Sequence, residues 1–522
     1  MNNIGHEWEV TRARRVGELE HEWHEQYGSV FRLAGIFGED ILEVSDPRAL
    51  QHICHKSAYR YKKPMDMEQQ IEKTFGPGLA TVNGEIHQRQ RKIMNPVFSA
   101  AQIRPFAPVF ETCVQSCSPS KLIAKWRSDI ESGATTINCF GQIHGMTLNA
   151  LGEAMFEYDF DAMAQKKGGL RDILRDLLWV ELPAFLSLNI QLMMWFLIFS
   201  LDSGNPTQLK MLRNASYRFL PKPIITLLGL KKTKEDRRFA HWIAASQNVS
   251  KGLITQKAES LGGVEKNTDI LSVIARSLAA QDPTKSLFPV EALSQMATII
   301  FAGHETTAST LTWLLYEMAH NPEWQTKLIQ EIQEVRDKTG NDGPLAVKDL
   351  EVMPILNAVI KETLRFHPIA PDLVREAETD DVIPLSSPII DSSGTALKEI
   401  PVTKGQRIIM NIFEYNRFKS VWGDDANVWS PERYLDSDRP TTLGVYANLM
   451  TFSGGVRSCI GWRFAVLELQ VATVALIEAF NFSPVQGIEI EHVRAGSNPP
   501  LVKGKWAAGP QLPLKVCLRR PD

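Results

Sequence analysis

Several features that would make a function easy to read are scarce in this sequence. Six cysteines in 522 residues, Cys54, Cys113, Cys117, Cys139, Cys459 and Cys517, are too few for a disulfide framework and point to folding in a reducing compartment. Cys113 and Cys117 sit four apart, but no histidine or cysteine joins them at metal-ligand spacing, so both read as structural. Charge of either sign is not in excess: 57 basic and 60 acidic residues leave a formal net charge of −3, which gives nucleic acid no electrostatic hold. No linker-like run separates compact halves, so a single domain over 1–522 is expected. The chain opens on a polar stretch, with neither secretory signal nor anchor in this reading, and the sequons at Asn214, Asn248 and Asn481 lack secretory context. Long apolar runs are missing too. The most apolar window, 182–201, is broken by Pro183, Asn189 and Gln191, leaving an uninterrupted run of only eight residues, Leu192 to Phe199. That is too short to cross a bilayer. This window and a second one, 219–230, fit a core helix, a membrane-dipping hairpin or a lid over a substrate channel.

What is present is an ordinary globular composition, 44% hydrophobic and 22% charged, arranged mostly with helical periodicity. A charged helical segment is expected over 12–27, and residues 28–46 alternate around glycines as a β-hairpin does. Asp46-Pro47 starts a helix through about His55. Residues 83–99 form a basic amphipathic helix with His87 and Arg91 on one face. Residues 231–287 read as charged surface structure. A long helix then runs from about Pro289 to Asn321, apolar nearly all round and therefore buried. Helices follow from Asn321 to Thr339 and after Met353, the latter carrying Glu362 and Arg365 at i, i+3. Short strands are expected near 383–385, around a hairpin at Ser393-Gly394, and over 405–410. The predicted fold is mainly α with small β-sheets.

Two stretches are chemically unusual. Ala302-Gly303-His304-Glu305-Thr306-Thr307 places a glycine, an acid and two threonines inside the long buried helix, where glycine alone costs on the order of 1 kcal/mol against alanine and threonine back-bonds to the preceding turn. Phe452-Ser-Gly-Gly-Val-Arg-Ser-Cys459-Ile-Gly461 presents one cysteine just before an apolar helix over about 461–480. A helix N-terminus favours the thiolate. Gly454, Gly455 and Gly461 let the backbone approach something flat and bulky, and Arg457 is placed to neutralise an acidic group on it.

The spacing of Phe452, Gly455, Arg457, Cys459 and Gly461 resembles the haem-binding loop of the cytochrome P-450 superfamily, in a phrasing similar to fungal microsomal members. The hexapeptide beginning at Ala302 resembles the superfamily's oxygen-side motif, and Pro431-Glu-Arg433-Tyr resembles a further one. The resemblance covers about residues 28–520. It implies haem b between the long helix and the Cys459 loop, with Cys459 as axial thiolate ligand to iron, pushing electron density that favours O–O cleavage. Arg91, Arg375 and Arg457 become partners for the haem propionates. His87, where the superfamily usually has tryptophan, is a less secure contact. Dioxygen is expected beside Ala302 and Gly303, with Thr306 and Glu305 delivering protons, while His304 points away and is not read as a ligand. Glu362, Arg365 and Arg433 are expected to form a buried structural triad. The implied partners are O2, an apolar small molecule (a terpenoid or other secondary metabolite, a lipid or an aromatic xenobiotic) and a separate NADPH–cytochrome P-450 reductase. By family habit the address is the cytoplasmic face of the endoplasmic reticulum, with the 182–230 region touching the membrane. No N-terminal anchor is read in this sequence, which departs from that pattern and leaves a truncated sequence, a lost anchor and a soluble cytosolic form all open. Two rivals share the haem: an isomerase or dehydratase that uses no O2, and a haem-binding sensor without turnover.

Overall fold

The structure, a computed structural model, describes residues 5–13, 15–115, 121–160, 173–174, 218–220, 224, 234–260, 269–340, 343–435, 442–494 and 497–519. Most of the apolar region 182–230, and Cys117 and Asn214 with it, lies outside these. Among the described residues no helix is long and apolar enough to cross a membrane.

The architecture is mainly helical. The helices that build the site are α1 (Gly84–Met94), α2 (Cys139–Phe156), α3 (Pro289–His320), α4 (Pro354–Phe366) and α5 (Trp462–Ala479). Helix α3 begins with Pro289 at its first position, where a missing N–H costs nothing, and the Glu291 carboxylate accepts the Phe288 N–H at 2.9 Å. It stops before Asn321-Pro322, since proline cannot continue the ladder. Its middle is buried, packed between α2 and the C-terminal elements. Helix α5 follows Gly461 as its N-cap and is buried along almost its whole length.

Strands β1 (Val30–Ala34), β2 (Asp40–Val44), β3 (Tyr61–Lys62), β4 (Asp372–Ala377) and β5 (Arg407–Asn411) form a sheet in the order β1-β2-β5-β4-β3. The expected hairpin over 28–46 is β1–β2, antiparallel with Val30 opposite Val44. Only β2–β5 pairs parallel. This sheet places Arg375, opposite Ile408, and the end of β3 at Lys62 on adjoining strands. A second hairpin, Asp381–Ile390 with Ala396–Val402, turns at Ser393-Gly394 as expected.

Two expectations need correction. The segment 12–27 is not one helix: His6–Arg12 and Glu18–Tyr27 are separate, broken at Gly17 with φ +76°. Nor is 231–287 all surface, because Ile270–Ala279 is largely buried. Its apolar stripe (Ile270, Leu271, Val273, Ile274) belongs to the core, and the charged neighbours had masked that period.

Candidate active site

The loop before α5 is shaped by its own backbone. The Cys459 N–H donates to the Phe452 carbonyl at 2.8 Å, closing the turn, and Phe452 itself is buried. Gly455 has φ +66°, and a Cβ there would overlap the Cys54 carbonyl oxygen, so no other residue fits without moving the chain. Gly461 carries no such constraint: a Cβ there would make only ordinary contact with Phe98. Arg91 of α1 reaches over and donates from Nη1 to the Ser458 carbonyl at 2.6 Å, with Nε on Asn95. In this structure it is therefore a brace for the cysteine loop.

Cys459 is exposed, yet protein crowds its sulfur. Burial raises its thiol pKa, and the Gly461 backbone N–H and the Arg91 charge only partly offset that. In the protein alone, desolvation therefore works against the thiolate that the helix start favours. Only a bound cation at the sulfur would deprotonate it outright.

Beside this loop lies a concentration of buried positive charge. Arg375 on β4 is buried, with Nη1 on the Val374 carbonyl. Burial lowers its pKa to about 10, with a contribution from Arg457. Arg457 reaches the Val82 carbonyl at 3.4 Å and lies over the Tyr59 ring, and its Nε and Nη2 are buried without any hydrogen-bond partner. His87 of α1 meets the Tyr59 hydroxyl at 3.0 Å. Burial, then Arg457 and Lys63, lower its pKa to about 3, so it is neutral. Lys63, just past β3, donates to the Thr81 and Val82 carbonyls, and burial followed by Arg457 and Arg375 brings it down to about 7. Sequence reasoning missed Lys63 and Tyr59. The signal was the basic and aromatic run Tyr59-Arg60-Tyr61-Lys62-Lys63. Buried guanidinium N–H groups without acceptors are costly, and a ligand with two carboxylates would satisfy them.

Across the fold, α3 shows a second opening. Between 302 and 312 only Ala302 and Thr306 are exposed. They are one turn apart and share a face. Thr306 Oγ1 donates to the Ala302 carbonyl at 2.9 Å. Gly303 does not share that face: a Cβ on it would come within 2.7 Å of Leu151 Cδ1 of α2, so its glycine serves close helix packing. Glu305 is buried and also turned elsewhere, accepting from Ser497 Oγ at 2.5 Å, with His144 Nδ1 3.1 Å away. Burial alone would raise its pKa, but the His144 charge and hydrogen bond bring the net shift downward.

Behind the site, Glu362 and Arg365 of α4 and Arg433 are brought together. Arg365 donates to both Glu362 oxygens at 2.8 and 2.7 Å, and Arg433 Nε to Oε1 at 3.0 Å. All three side chains are at most 3% exposed.

A profile of the cytochrome P-450 family matches residues 3–502. The chain belongs to this family. It is similar to cytochrome P-450 monooxygenase 205 of Postia placenta, 33% identical over 95% of this chain and 88% of the relative. It is also similar to a ganoderic acid synthetase of Ganoderma lucidum, 32% identical over 94% and 87%, and to monooxygenase claP of Ampulloclitocybe clavipes, 28% over 97% and 89%. The protein is therefore an oxygen-incorporating oxidoreductase of the cytochrome P-450 type, and the family implies haem. The residues present fit that group: an accessible cysteine on a glycine-shaped loop, and a buried cationic cradle whose Arg457 nitrogens lack acceptors.

Proposed function

We propose that this cytochrome P-450 hydroxylates an apolar small molecule of secondary metabolism, taking electrons from NADPH through a separate cytochrome P-450 reductase. The observation that carries this reading is the pair Ala302 and Thr306, exposed on one face of a helix whose neighbouring positions are half-buried or buried. A methyl and a hydroxyl there leave room for a small ligand and offer it one hydrogen-bonding group. The relative named a ganoderic acid synthetase supports a secondary metabolite as substrate.

Haem held through Cys459 supplies the activation of dioxygen, the thiolate favouring O–O cleavage. The overall balance is substrate R–H, O2, two electrons and two protons giving R–OH and water. Cys459 would hold the iron and Arg375 and Arg457 would meet the propionates, with Lys63 and the neutral His87 lining the same cradle and Arg91 bracing the loop. Thr306, released from the Ala302 carbonyl, holds and passes a proton at its hydroxyl oxygen. Glu305 contributes only when its clasp with His144 and Ser497 opens, because its carboxylate faces away from the Thr306 side. Phe37 and Phe219, in edge contact at 5.7 Å and 61% and 47% exposed, support contact with a membrane surface and, with it, work at the cytoplasmic face of the endoplasmic reticulum.

The test is reconstitution of the haem-loaded protein with NADPH and reductase, screening apolar compounds by substrate-induced spectral shifts and then by product. Hydroxylated product carrying one atom of labelled O2 is expected; an isomerase, dehydratase or sensor yields none. Thr306→Ala keeps the red-shifted band of the reduced, CO-bound protein but diverts electrons to peroxide, whereas Cys459→Ala loses the band. Full coupling in Thr306→Ala overturns the proton role of Thr306.

A further inference from the structure

We propose that His144, His304 and Glu305 form a buried site for a zinc-like divalent cation that fastens α2 to α3. One ring nitrogen each from His144 and His304 and one Glu305 oxygen all lie within 4.8 Å of one another. Glu305 Oε2 is 3.1 Å from His144 Nδ1 and 3.9 Å from His304 Nε2. Tetrahedral zinc with bonds of about 2.0–2.1 Å sets its ligand atoms about 3.3 Å apart. The first distance already matches, the second needs a closure of about half an ångström, and the two histidine nitrogens, within 4.8 Å of each other, draw together as the rings rotate onto the ion.

Orientation argues for a cation more strongly than proximity does. His304 Nδ1 lies 2.7 Å from the Ile300 carbonyl oxygen. A carbonyl only accepts, so that nitrogen carries the proton and the neutral ring turns a lone pair outward from Nε2. Nε2 faces a carboxylate oxygen that also carries lone pairs, at a separation too long for a hydrogen bond. An ion pair between His144 and Glu305 accounts for one approach and leaves the other opposed. A metal ion satisfies all three donors together. The supporting contacts have the form that metal-bound histidines and carboxylates use: a backbone carbonyl on the far nitrogen of His304, and a serine hydroxyl on the other Glu305 oxygen. Ser497 donates to Glu305 Oε1 at 2.5 Å and meets Ser309 Oγ at 2.9 Å, which fixes the carboxylate with Oε2 toward the histidines. Two imidazole nitrogens and one carboxylate oxygen suit zinc and leave a fourth position for water. The site lies off the Ala302–Thr306 face, and its existence does not depend on the proposed substrate or on the reductase.

The experiment uses the haem-loaded protein, stripped of loose metal with a chelator and dialysed against micromolar Zn2+. Zinc and iron are counted per chain by elemental analysis, and thermal unfolding is followed with and without Zn2+. Expected is one zinc retained per chain beyond the haem iron, with a raised Tm. His144→Gln and His304→Gln each remove a ligand, so each should weaken retention by more than the roughly tenfold that loss of a ligand's hydrogen-bond partner costs, and should abolish the Tm rise. The red-shifted CO band, kept in both variants, shows that they fold, and His320→Gln, at an exposed position, should behave as the parent. No zinc retained by the parent, or equal retention in both histidine variants, overturns the proposal.

Discussion

Replacing Glu362 by glutamine tests the claim that charge buried behind the site holds it together. Glu362 accepts four hydrogen bonds: two from Arg365, one from Arg433 Nε and one from the Ser430 N–H at 2.7 Å. Glutamine keeps one acceptor oxygen but turns an NH2 toward guanidinium donors and removes the one charge that, among the described residues, balances Arg365 within bonding distance. Removing one partner of a buried ion pair costs about 3–5 kcal/mol. Two features pull the figure to the lower end. Arg365 also donates to the carbonyls of Asn416, Ala426 and Val428, and Arg433 retains Asp425 at 2.9 Å. A loss of about 3 kcal/mol is expected, a large share of the 5–15 kcal/mol that separates folded from unfolded proteins. Urea unfolding followed by far-UV dichroism and by the haem band reads it directly. A Glu362→Gln protein within about 0.5 kcal/mol of the parent, the range of ordinary surface substitutions, refutes the reasoning. A cycle with Arg433→Lys should show coupling, since the two share one oxygen.

Arg457→Ala should act in opposite directions on the two forms. It relieves repulsion with Arg375 and Lys63 in the haem-free protein, so that form should gain stability. It removes a charged donor from the cradle, worth about 1.5 kcal/mol or more, so haem should transfer to an acceptor apoprotein roughly tenfold faster. Unchanged transfer would remove Arg457 from the cradle. Glu43, buried on β2 and hydrogen-bonded by Asn411, has its pKa raised from 4.5 to about 8 by burial. Between those values the folded state holds a proton that the unfolded state has released, so this group's contribution falls as pH rises from 4.5 to 8. Glu43→Gln should flatten the decline, and parallel stability curves for the two proteins at pH 5 and 8 would contradict it.

The sequence by itself determined the family's motifs and where most elements begin and end. Proline and asparagine bound α3, a glycine and a cysteine precede α5, and periodicity marked the β1–β2 hairpin, because these signals are local. It did not determine facing. Gly303 and Glu305 share a hexapeptide with Ala302 and Thr306, yet α2 draws the first two toward Leu151 and His144 and leaves the others open. The cationic cradle joins residues from the stretch after β3, α1, β4 and the cysteine loop, some 390 positions apart in sequence, so Lys63 had no local mark beyond a short basic run. The protonation of Cys459 was likewise undecided by its position before a helix. Helix-end electrostatics favour the anion and desolvation opposes it, and the extent of that desolvation is set only by the packed structure.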